Sequence, residues 1–433
     1  MNHLKRTLLL GTGPASVQLA VTLKTFLGCE IGIAGRKSVR SAAFFEALMG
    51  NDRHIYAEIQ NEKHRQMQGD CTVDQVFQGI STIKGEWDTI ILSVTTDAYI
   101  EVLKQVPQDV LKRVESIILL SPTFGSNSLV KSFLSSVNPL VEIISFSTYL
   151  GDTRWKQGHP SNQVVTTGLK KKLYIGSTNP SSQCLNNLKM LFKQLNILLE
   201  IMSTPIEAES RNISLYVHPP LFMNEFSLSA IFGETEAKKY VYKLYPEGPI
   251  TPSLIRDMLA MWREMMSILH KLTINGLNLL KFMIDDNYPV SKESLSRADI
   301  EQFTELEPIH QEYLLYIRYS ALLIDPFSTP DENGRYYDFS GVPFQKLFVN
   351  RDALLDIPRM PKEDYYRLKI IQGIARGQDL SCPTIDNFIR IYERKIISTA
   401  KFHPKERLSP AFTVLNLDED LQMINSELRS RNA

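Results

Sequence analysis

Two glycines near the start of the chain, Gly11 and Gly13, have the spacing of a phosphate-binding turn and directly follow an apolar run. After a buried strand, the first glycine permits a tight turn and the second lets the backbone approach a pyrophosphate closely. Ser16 takes the third fingerprint position, where Gly or Ala is usual. The other residues of the predicted turn and helix start are Thr12, Pro14 and Ala15. A dinucleotide-binding unit is therefore predicted, and a strand–turn–helix without a ligand is the alternative.

Three basic residues, Arg36, Lys37 and Arg40, follow the predicted second strand at residues 30–35. A site for NAD usually places an acidic residue here, where its carboxylate accepts hydrogen bonds from the ribose hydroxyls. This chain has no acid at the end of the strand, and a guanidinium can form a pair of hydrogen bonds with a 2′-phosphate. The charges therefore favour NADPH as the cofactor. A basic loop that is merely solvated is the alternative.

Small or polar residues follow three later apolar strands at the point where each strand ends. Thr95 follows the first of them, Pro122 lies in the loop after the second, and Asp152 and Arg154 follow the third. Open α/β sheets bind ligands outside the carboxyl ends of their parallel strands. We therefore expect Thr95 and Pro122 to line the cofactor. Asp152 and Arg154 would manage a proton and a carboxylate at the same edge, or form only a surface ion pair.

The histidine best placed for chemistry is His218, because two prolines follow it directly. Proline has no N–H and restricts the residue before it, so the pair is expected to break a helix and hold His218 at the break. An imidazole can accept and donate a proton near neutral pH. The same stretch of sequence contains the expected substrate-binding residues Arg211, Tyr216 and Asn224. A histidine with a purely structural role is the alternative.

The elements that must position these residues change character near the middle of the chain. The first half alternates apolar strands with helices, which is typical of a Rossmann-like sheet. From residue 207 onward, apolar residues recur mainly at helical spacing. The sequence therefore predicts an α/β Rossmann-like N-terminal domain at residues 1–204, which binds NADPH. A mainly helical C-terminal domain at residues 205–433 is predicted to carry the catalytic and substrate-binding residues.

The composition excludes several classes of protein. The 433 residues are 43% hydrophobic and 22% charged with a formal net charge of zero, so no basic field is available to bind nucleic acid or an anionic membrane. No apolar run approaches the length of a membrane span. The four cysteines lack metal-ligand spacing. We expect a reduced, cytoplasmic protein that does not span a membrane.

Several long motifs in this chain resemble those of the opine metallophore dehydrogenases of the staphylopine dehydrogenase type. The motifs are residues 11–14, 121–126, 145–154, 214–224, 242–251, 325–328, 330–334 and 357–361. The resemblance implies an NADPH-dependent oxidoreductase that acts on a CH–NH group. Such an enzyme joins an α-keto acid, pyruvate or 2-oxoglutarate, to the amine of a histidine–aminobutyrate intermediate and reduces the imine. The product would be a nicotianamine-like metallophore, and the enzyme would be a homodimer that needs no metal ion for its own reaction.

The chemistry of such a condensation gives roles to the candidate residues, and for His218 the resemblance implies the same role. His218 would take a proton from the substrate amine and return one to expel water, with Asp152 as its partner or a second proton acceptor. Arg154 and Arg211 would bind substrate carboxylates. Two other functions remain open: a simple opine dehydrogenase acting on a free amino acid, and a non-catalytic regulator that senses NADPH. A ketopantoate-reductase-like enzyme would need a catalytic lysine near the position of Arg211.

Overall fold

The computed structural model describes residues 4–321, 339–402 and 407–432. Contacts between Cα atoms divide the chain into two compact units, Met1–Asn212 with Gln422–Ala433, and Ile213–Leu421. Each unit is described by itself. The motifs at 325–334 lie outside the described residues. Within the described ranges, no helix is long and apolar enough to cross a membrane, and no group of three or more His, Cys, Asp or Glu side chains could hold a metal ion.

The first unit contains twelve strands and seven helices, followed by the end of the C-terminal helix. The strands are β1 (Arg6–Leu10), β2 (Glu30–Gly35), β3 (His54–Ile59), β4 (Gly69–Thr72), β5 (Gln75–Gln78), β6 (Thr89–Leu92), β7 (Ser116–Leu119), β8 (Glu142–Phe146), β9 (Gly151–Trp155), β10 (Gln163–Leu169), β11 (Lys172–Ser177) and β12 (Leu198–Ile201). The helices are α1 (Pro14–Leu27), α2 (Val39–Met49), α3 (Tyr99–Leu103), α4 (Gln108–Leu111), α5 (Ser126–Leu134), α6 (Gln183–Gln194) and α7 (Pro205–Ser210).

The main sheet of this unit has eight strands in the order β12-β11-β8-β7-β6-β1-β2-β5. All neighbouring pairs are parallel except β11 with β8. Alternate residues of a strand enter opposite cores: Leu9 of β1 lies in one hydrophobic cluster, and Leu8 and Leu10 lie in the other. Because apolar side chains cover both faces, the strands are continuous apolar runs, as expected for a parallel sheet between helices. The order reverses between β1 and β6, where such sheets bind ligands.

A second sheet, with the order β4-β3-β10-β9, packs on α1. Helix α1 is therefore covered by a sheet on both sides, and its residues from Ser16 to Leu23 are all buried. Two polar bonds fix it to the second sheet and to the turn before β4: Gln18 accepts from the Thr166 hydroxyl at 2.7 Å and donates to the Met67 carbonyl at 2.8 Å. Gln18 is polar and buried, and these two bonds satisfy it, as burial of an amide requires.

The second unit is mainly helical. Its helices are α8 (Ser214–Phe222), α9 (Glu225–Ile231), α10 (Pro252–Lys271), α11 (Leu279–Asp285), α12 (Arg297–Gln302), α13 (Pro308–Ala321), α14 (Arg359–Gly377) and α15 (Pro383–Phe402). Its described residues also form two short strands, β13 (Phe348–Val349) and β14 (Leu355–Asp356), and the final helix is α16 (Asp418–Asn432). Helix α8 packs against α10 and α14.

The division into units differs from the predicted domains 1–204 and 205–433 in two places. The boundary follows Asn212, because α7 packs on β8 and β11 of the main sheet. The chain also returns to the first unit at Gln422. There Glu427 of α16 pairs with Lys131 of α5 at 3.2 Å. Neither packing is visible in the local sequence pattern.

Candidate active site

The glycine turn joins β1 to α1 beside the point where the strand order reverses. Gly11 has φ = 143°, and an added Cβ would lie 2.9 Å from the carbonyl oxygen of Ser93, so no larger residue fits. Gly13 adopts an extended conformation, and no atom lies within 4 Å of where its Cβ would be. The space beside Gly13 is therefore open to a ligand, and Gly13 brings no capping side chain to the start of α1.

The residues around these glycines hold the turn in place. Ser16 is buried, and its hydroxyl lies 2.7 Å from the hydroxyl of Ser93, so a serine is accommodated where Gly or Ala is usual. The methyl group of Thr12 packs directly on Gly35: a Cβ added to Gly35 would lie only 2.4 Å from it. Pro14 is the first residue of α1, where its missing N–H costs no hydrogen bond, and Ala15 is the second.

The predicted 2′-phosphate residues follow β2 directly. Arg36 and Lys37 are both exposed, and the hydroxyl of Ser41 donates to the carbonyl of Arg36. Ser38 caps α2 by accepting from the backbone N–H of Ser41, so the backbone that carries the two cations is well anchored. Arg40 is the second residue of α2, and its side chain lies outside the described part of the structure. The donor set therefore fits the phosphate of NADPH.

The loops after β6 and β7 are tied to each other. The Thr96 hydroxyl donates to the Ser121 carbonyl at 3.1 Å. Thr95 is exposed, whereas Pro122 is buried. Thr123 is also buried, and its hydroxyl has no hydrogen-bond partner among the described residues. An unsatisfied buried hydroxyl at the carboxyl end of a central strand is a group that a bound ligand can satisfy. This observation adds Thr123 to the candidates for the cofactor site.

Asp152 and Arg154 do not lie in a loop at the edge of the main sheet, as expected, but inside β9 of the second sheet. Residues two apart in a strand point to the same face, and here both are exposed. Their side chains form an ion pair at 2.5 Å with exposed fractions of 49% and 69%. The Thr167 hydroxyl also donates to Asp152 at 3.0 Å. The geometry is that of a surface ion pair, the alternative that the sequence left open.

Two of the expected substrate residues are largely buried. Arg211 follows α7, and its guanidinium lies 3.5 Å from the carboxylate of Glu207, one helical turn earlier. Tyr216 is fully buried on α8 and packs edge-to-face on Phe282 of α11, with 6.5 Å between ring centroids. The contact of Tyr216 is core packing in the second unit.

Asn224 caps helix α9. Its carbonyl oxygen accepts from the backbone N–H of Ser227 at 2.9 Å. Its amide nitrogen donates to the carbonyls of Pro220 at 2.7 Å and Leu221 at 3.3 Å, and to the Ser227 hydroxyl at 2.9 Å. The side chain joins the end of α8 to the start of α9. This engagement is structural, and it leaves the expected role in substrate binding without support from the geometry.

The two prolines after His218 do not break the helix, so this part of the prediction is wrong. Helix α8 continues through Pro219 and Pro220 to Phe222. Both prolines are buried, together with Leu215, Tyr216 and Leu221. Packing against α10 and α14 outweighs the hydrogen bonds that the two missing N–H groups would have made. His218 is therefore presented from a helix rather than from a break.

The second unit supplies His218 with an acidic partner. Its Nδ1 atom lies 3.7 Å from the Oδ1 of Asp364 on α14 and 3.2 Å from the sulfur of Met360. Asp364 is fully buried, and its Oδ1 accepts from the guanidinium of Arg367 at 2.9 Å. The other carboxylate oxygen, Oδ2, has no partner among the described residues. The His218 side chain is 23% exposed and packs edge-to-face on Phe222.

This arrangement assigns different tasks to the two imidazole nitrogens. Because Nδ1 faces a carboxylate, the proton of the neutral ring is favoured on Nδ1. Among the described residues, no hydrogen bond engages Nε2, which is left to act as the base. Asp364 also stabilises the charge that forms when the ring takes up a second proton. His218 and Asp364 are thus equipped for general acid–base catalysis.

Asp364 and Arg367 were not predicted from the sequence. A signal did exist: the buried residues of α14 include Leu368, Ile371 and Ala375, and Asp364 lies on the same helical face. A carboxylate within an apolar stripe must find a partner on another element. Nothing in the sequence indicates that this element is α8, 140 or so residues earlier.

This chain is similar to known proteins over nearly its whole length. The family model described as staphylopine dehydrogenase matches residues 5–428. The chain is 45% identical over 427 residues to the staphylopine synthase of Staphylococcus aureus, with 98% of each chain covered. This chain belongs to the staphylopine dehydrogenase family. The pseudopaline synthase of Pseudomonas aeruginosa is 35% identical, covering 91% of this chain and 90% of the relative.

A solved structure of yersinopine dehydrogenase with bound NADP⁺ matches with a TM-score of 0.91 at 29% identity, covering 99% of this chain and 100% of that one. The predicted family, fold class, enzyme class and NADPH cofactor are therefore confirmed. The protein is an NADPH-dependent opine dehydrogenase, an oxidoreductase that acts on CH–NH and makes an opine metallophore by reductive condensation. The individual site residues remain predictions.

Proposed function

We propose that the enzyme joins an α-keto acid, pyruvate or 2-oxoglutarate, to the free amine of a histidine–aminobutyrate intermediate and yields a nicotianamine-like chelator. The observation that carries this proposal is the 45% identity to staphylopine synthase over nearly the whole chain. The His218–Asp364 pair in the second unit supplies the acid–base group that such a condensation needs.

We assign the cofactor to the carboxyl edge of the main sheet in the first unit. Gly11, Thr12, Gly13, Pro14 and Ala15 would hold the pyrophosphate, since the space beside Gly13 is open. Arg36 and Lys37, with Arg40, would hold the 2′-phosphate, and Thr95, Pro122 and Thr123 would line the remainder. When bound, NADPH supplies the hydride that reduces the imine.

His218 performs two proton transfers in this proposal. The amine enters as an ammonium ion, and Nε2 removes one of its protons so that the nitrogen can attack the keto carbon. The imidazolium then returns a proton to the hydroxyl of the carbinolamine, which leaves as water and gives the protonated imine. Asp364 stabilises the imidazolium between these steps, and the hydrogen bond from Arg367 holds the Asp364 carboxylate in place.

Asp152 and Arg154 are proposed to bind the amino-acid end of a substrate. Their charges are opposite, and both side chains lie on one exposed face of β9. An amino acid matches this pair, because its ammonium group can bind Asp152 in place of Arg154 and its carboxylate can bind Arg154 in place of Asp152. A role of Asp152 in proton transfer is retained as part of the same proposal. Arg211 is proposed to bind a second carboxylate, which requires it to leave Glu207.

The decisive test is NADPH oxidation by the purified protein with the histidine–aminobutyrate intermediate. Pyruvate and 2-oxoglutarate are offered in separate assays, and free amino acids serve as controls. We expect turnover with one keto acid and the intermediate. Turnover with free amino acids alone would contradict the proposal and indicate a simple opine dehydrogenase, and NADPH binding without turnover would indicate a regulator.

Two further expectations stay predictions. The homodimer implied by the family can be tested by sedimentation of the purified protein. The cytoplasmic location can be tested by fractionation of cells that produce it.

A further inference from the structure

Glu209 is a fully buried carboxylate on α7 that the proposed mechanism does not use. It accepts four hydrogen bonds in the first unit. The backbone N–H groups of Gly125 and Asn127 donate at 2.9 and 2.7 Å, and the Asn127 amide and the Ser145 hydroxyl donate at 2.8 and 2.9 Å. All four described donors are neutral. A buried carboxylate held by this many donors fixes the groups that donate to it.

Gly125 and Asn127 lie where the turn at residues 121–125 runs into α5, and Ser145 lies in β8. Gly125 precedes the helix in a left-handed conformation, φ = 89°, and has no side chain with which to cap it. The first N–H groups of a helix need acceptors, and a negative charge at this end is favourable. Glu209, on α7, supplies both the acceptor oxygens and the negative charge. The shape of the turn that carries Pro122 and Thr123 therefore depends on Glu209.

The last turn of the C-terminal helix reaches the same place. Arg431 donates to the Oδ1 atom of Asn127 at 2.6 Å, while the amide nitrogen of Asn127 donates to Glu209. The two bonds together fix the orientation of the Asn127 amide. Arg431 is itself held by Glu427 at 3.1 Å, and Glu427 pairs with Lys131 of α5. Residues 422–432 thus belong to the support of the turn.

We propose that Glu209 is a positioning residue for NADPH: its carboxylate, with Arg431 acting through Asn127, holds the β7–α5 turn in the shape that receives the cofactor. This inference rests on the assignment of the Pro122 turn to the cofactor site. Glu209 itself touches neither cofactor nor substrate. Its contribution is to keep Pro122 and the unsatisfied Thr123 hydroxyl in place.

The electrostatics of Glu209 provide a specific readout. Burial raises the pKa of Glu209 to about 7, against the opposing effect of its hydrogen bonds to Asn127, Ser145 and Gly125. The ionised form is the one that accepts four bonds, so protonation below neutral pH loosens the turn. The charged groups nearest along the network are Arg431, on the far side of Asn127, and the Lys131–Glu427 pair.

The experiment compares E209Q with E264Q. Glu264 also caps a helix with its carboxylate, accepting from the N–H groups of Thr384 and Ile385 at 2.7 and 3.1 Å, but it lies in the second unit. NADPH affinity is measured by fluorescence titration between about pH 5.5 and 8.5, a range that brackets the titration of Glu209. Thermal unfolding of each variant shows whether it is folded at the assay temperature.

We expect E209Q to weaken NADPH binding by about tenfold, because a charge-assisted cap is lost, while kcat at saturating NADPH changes much less. The wild type should bind NADPH more weakly as the pH falls below about 7, and E209Q should lose that dependence. E264Q should keep the wild-type affinity. R431A should weaken binding by about threefold and the exposed R429A by none, since only Arg431 contacts Asn127.

Unchanged NADPH affinity in a folded E209Q variant would overturn the positioning role, and so would an equal loss in E264Q. Because the titration needs no second substrate, its result does not depend on which keto acid or amine the enzyme uses. Failure of the wild type to turn over any substrate pair would instead contradict the proposed function.

Discussion

Among the described residues, each unit has one completely buried carboxylate, Glu209 in the first and Asp364 in the second, and the two have different surroundings. Glu209 in the first unit accepts four hydrogen bonds, all from neutral donors. Asp364 in the second unit has a guanidinium on one oxygen, a histidine nearby, and no described partner on the other oxygen. A fully satisfied carboxylate fixes the groups around it, whereas an incompletely satisfied one beside an imidazole is available for chemistry.

The largest effect on kcat is expected from substitution of His218, the imidazole beside Asp364. His218→Ala is expected to lower kcat by about 10²- to 10⁴-fold, the usual contribution of a general acid–base group. NADPH affinity should not change, because the cofactor residues lie in the first unit. His270→Ala is the control, since His270 is exposed at the end of α10. Steady-state kinetics and a cofactor titration give both quantities, and a fully active His218→Ala enzyme would refute the assignment.

Asp364→Asn tests whether the charge on that carboxylate contributes to catalysis. We expect kcat to fall by about 10- to 100-fold, because the imidazolium loses its stabilising partner and Nδ1 loses its preferred proton. The control is Glu363→Gln: Glu363 also pairs with Arg367, at 3.3 Å, and the contacts described for His218 do not include it. An equal loss of kcat in Asp364→Asn and Glu363→Gln would show that Asp364 acts by holding Arg367 and not by stabilising the His218 imidazolium.

Substitution of Glu209, by contrast, should change the free energy of unfolding rather than kcat. Its pKa of about 7 in the folded protein lies above the usual glutamate value of 4.5, so between these two pH values the folded protein holds a proton that the unfolded chain releases. The wild type should therefore lose stability relative to E209Q as the pH rises from about 4.5 to about 7, by at most about 3 kcal/mol. Urea unfolding at a series of pH values measures this. A difference that does not vary with pH would contradict it.

Local sequence predicted the cofactor half of the molecule well. Strands β1, β2, β6, β7 and β8 lie where their apolar runs indicated, because a strand buried on both faces is recognisable without its neighbours. The glycine turn and the basic residues after β2 are likewise local signals. The second sheet was missed because its strands come from residues 54–72 and 151–169, which pair only across a long separation in sequence.

The second unit shows the limit of local reasoning. The two prolines point to His218 at a helix break, but the helix continues through them because α10 and α14 pack on it. Its carboxylate partner was expected at Asp152, which instead pairs with Arg154, while Asp364 lies beside His218 on a helix far along the chain. Tertiary packing brings such pairs together, and a single sequence does not indicate which residues of two distant helices face each other.

The smallest effect on stability should come from Asp152, the exposed counterpart of the two buried carboxylates. An ion pair with side chains 49% and 69% exposed contributes at most about 1 kcal/mol, so Asp152→Asn should unfold at nearly the wild-type urea concentration. If the pair binds an amino-acid end, the KM for the amine substrate should nevertheless rise several-fold, by about 1 kcal/mol of lost binding. Lys156→Gln is the control, because Lys156 forms a similar exposed pair with Glu58 on the same sheet. An unchanged KM in Asp152→Asn would leave the Asp152–Arg154 pair as a surface contact without a part in catalysis.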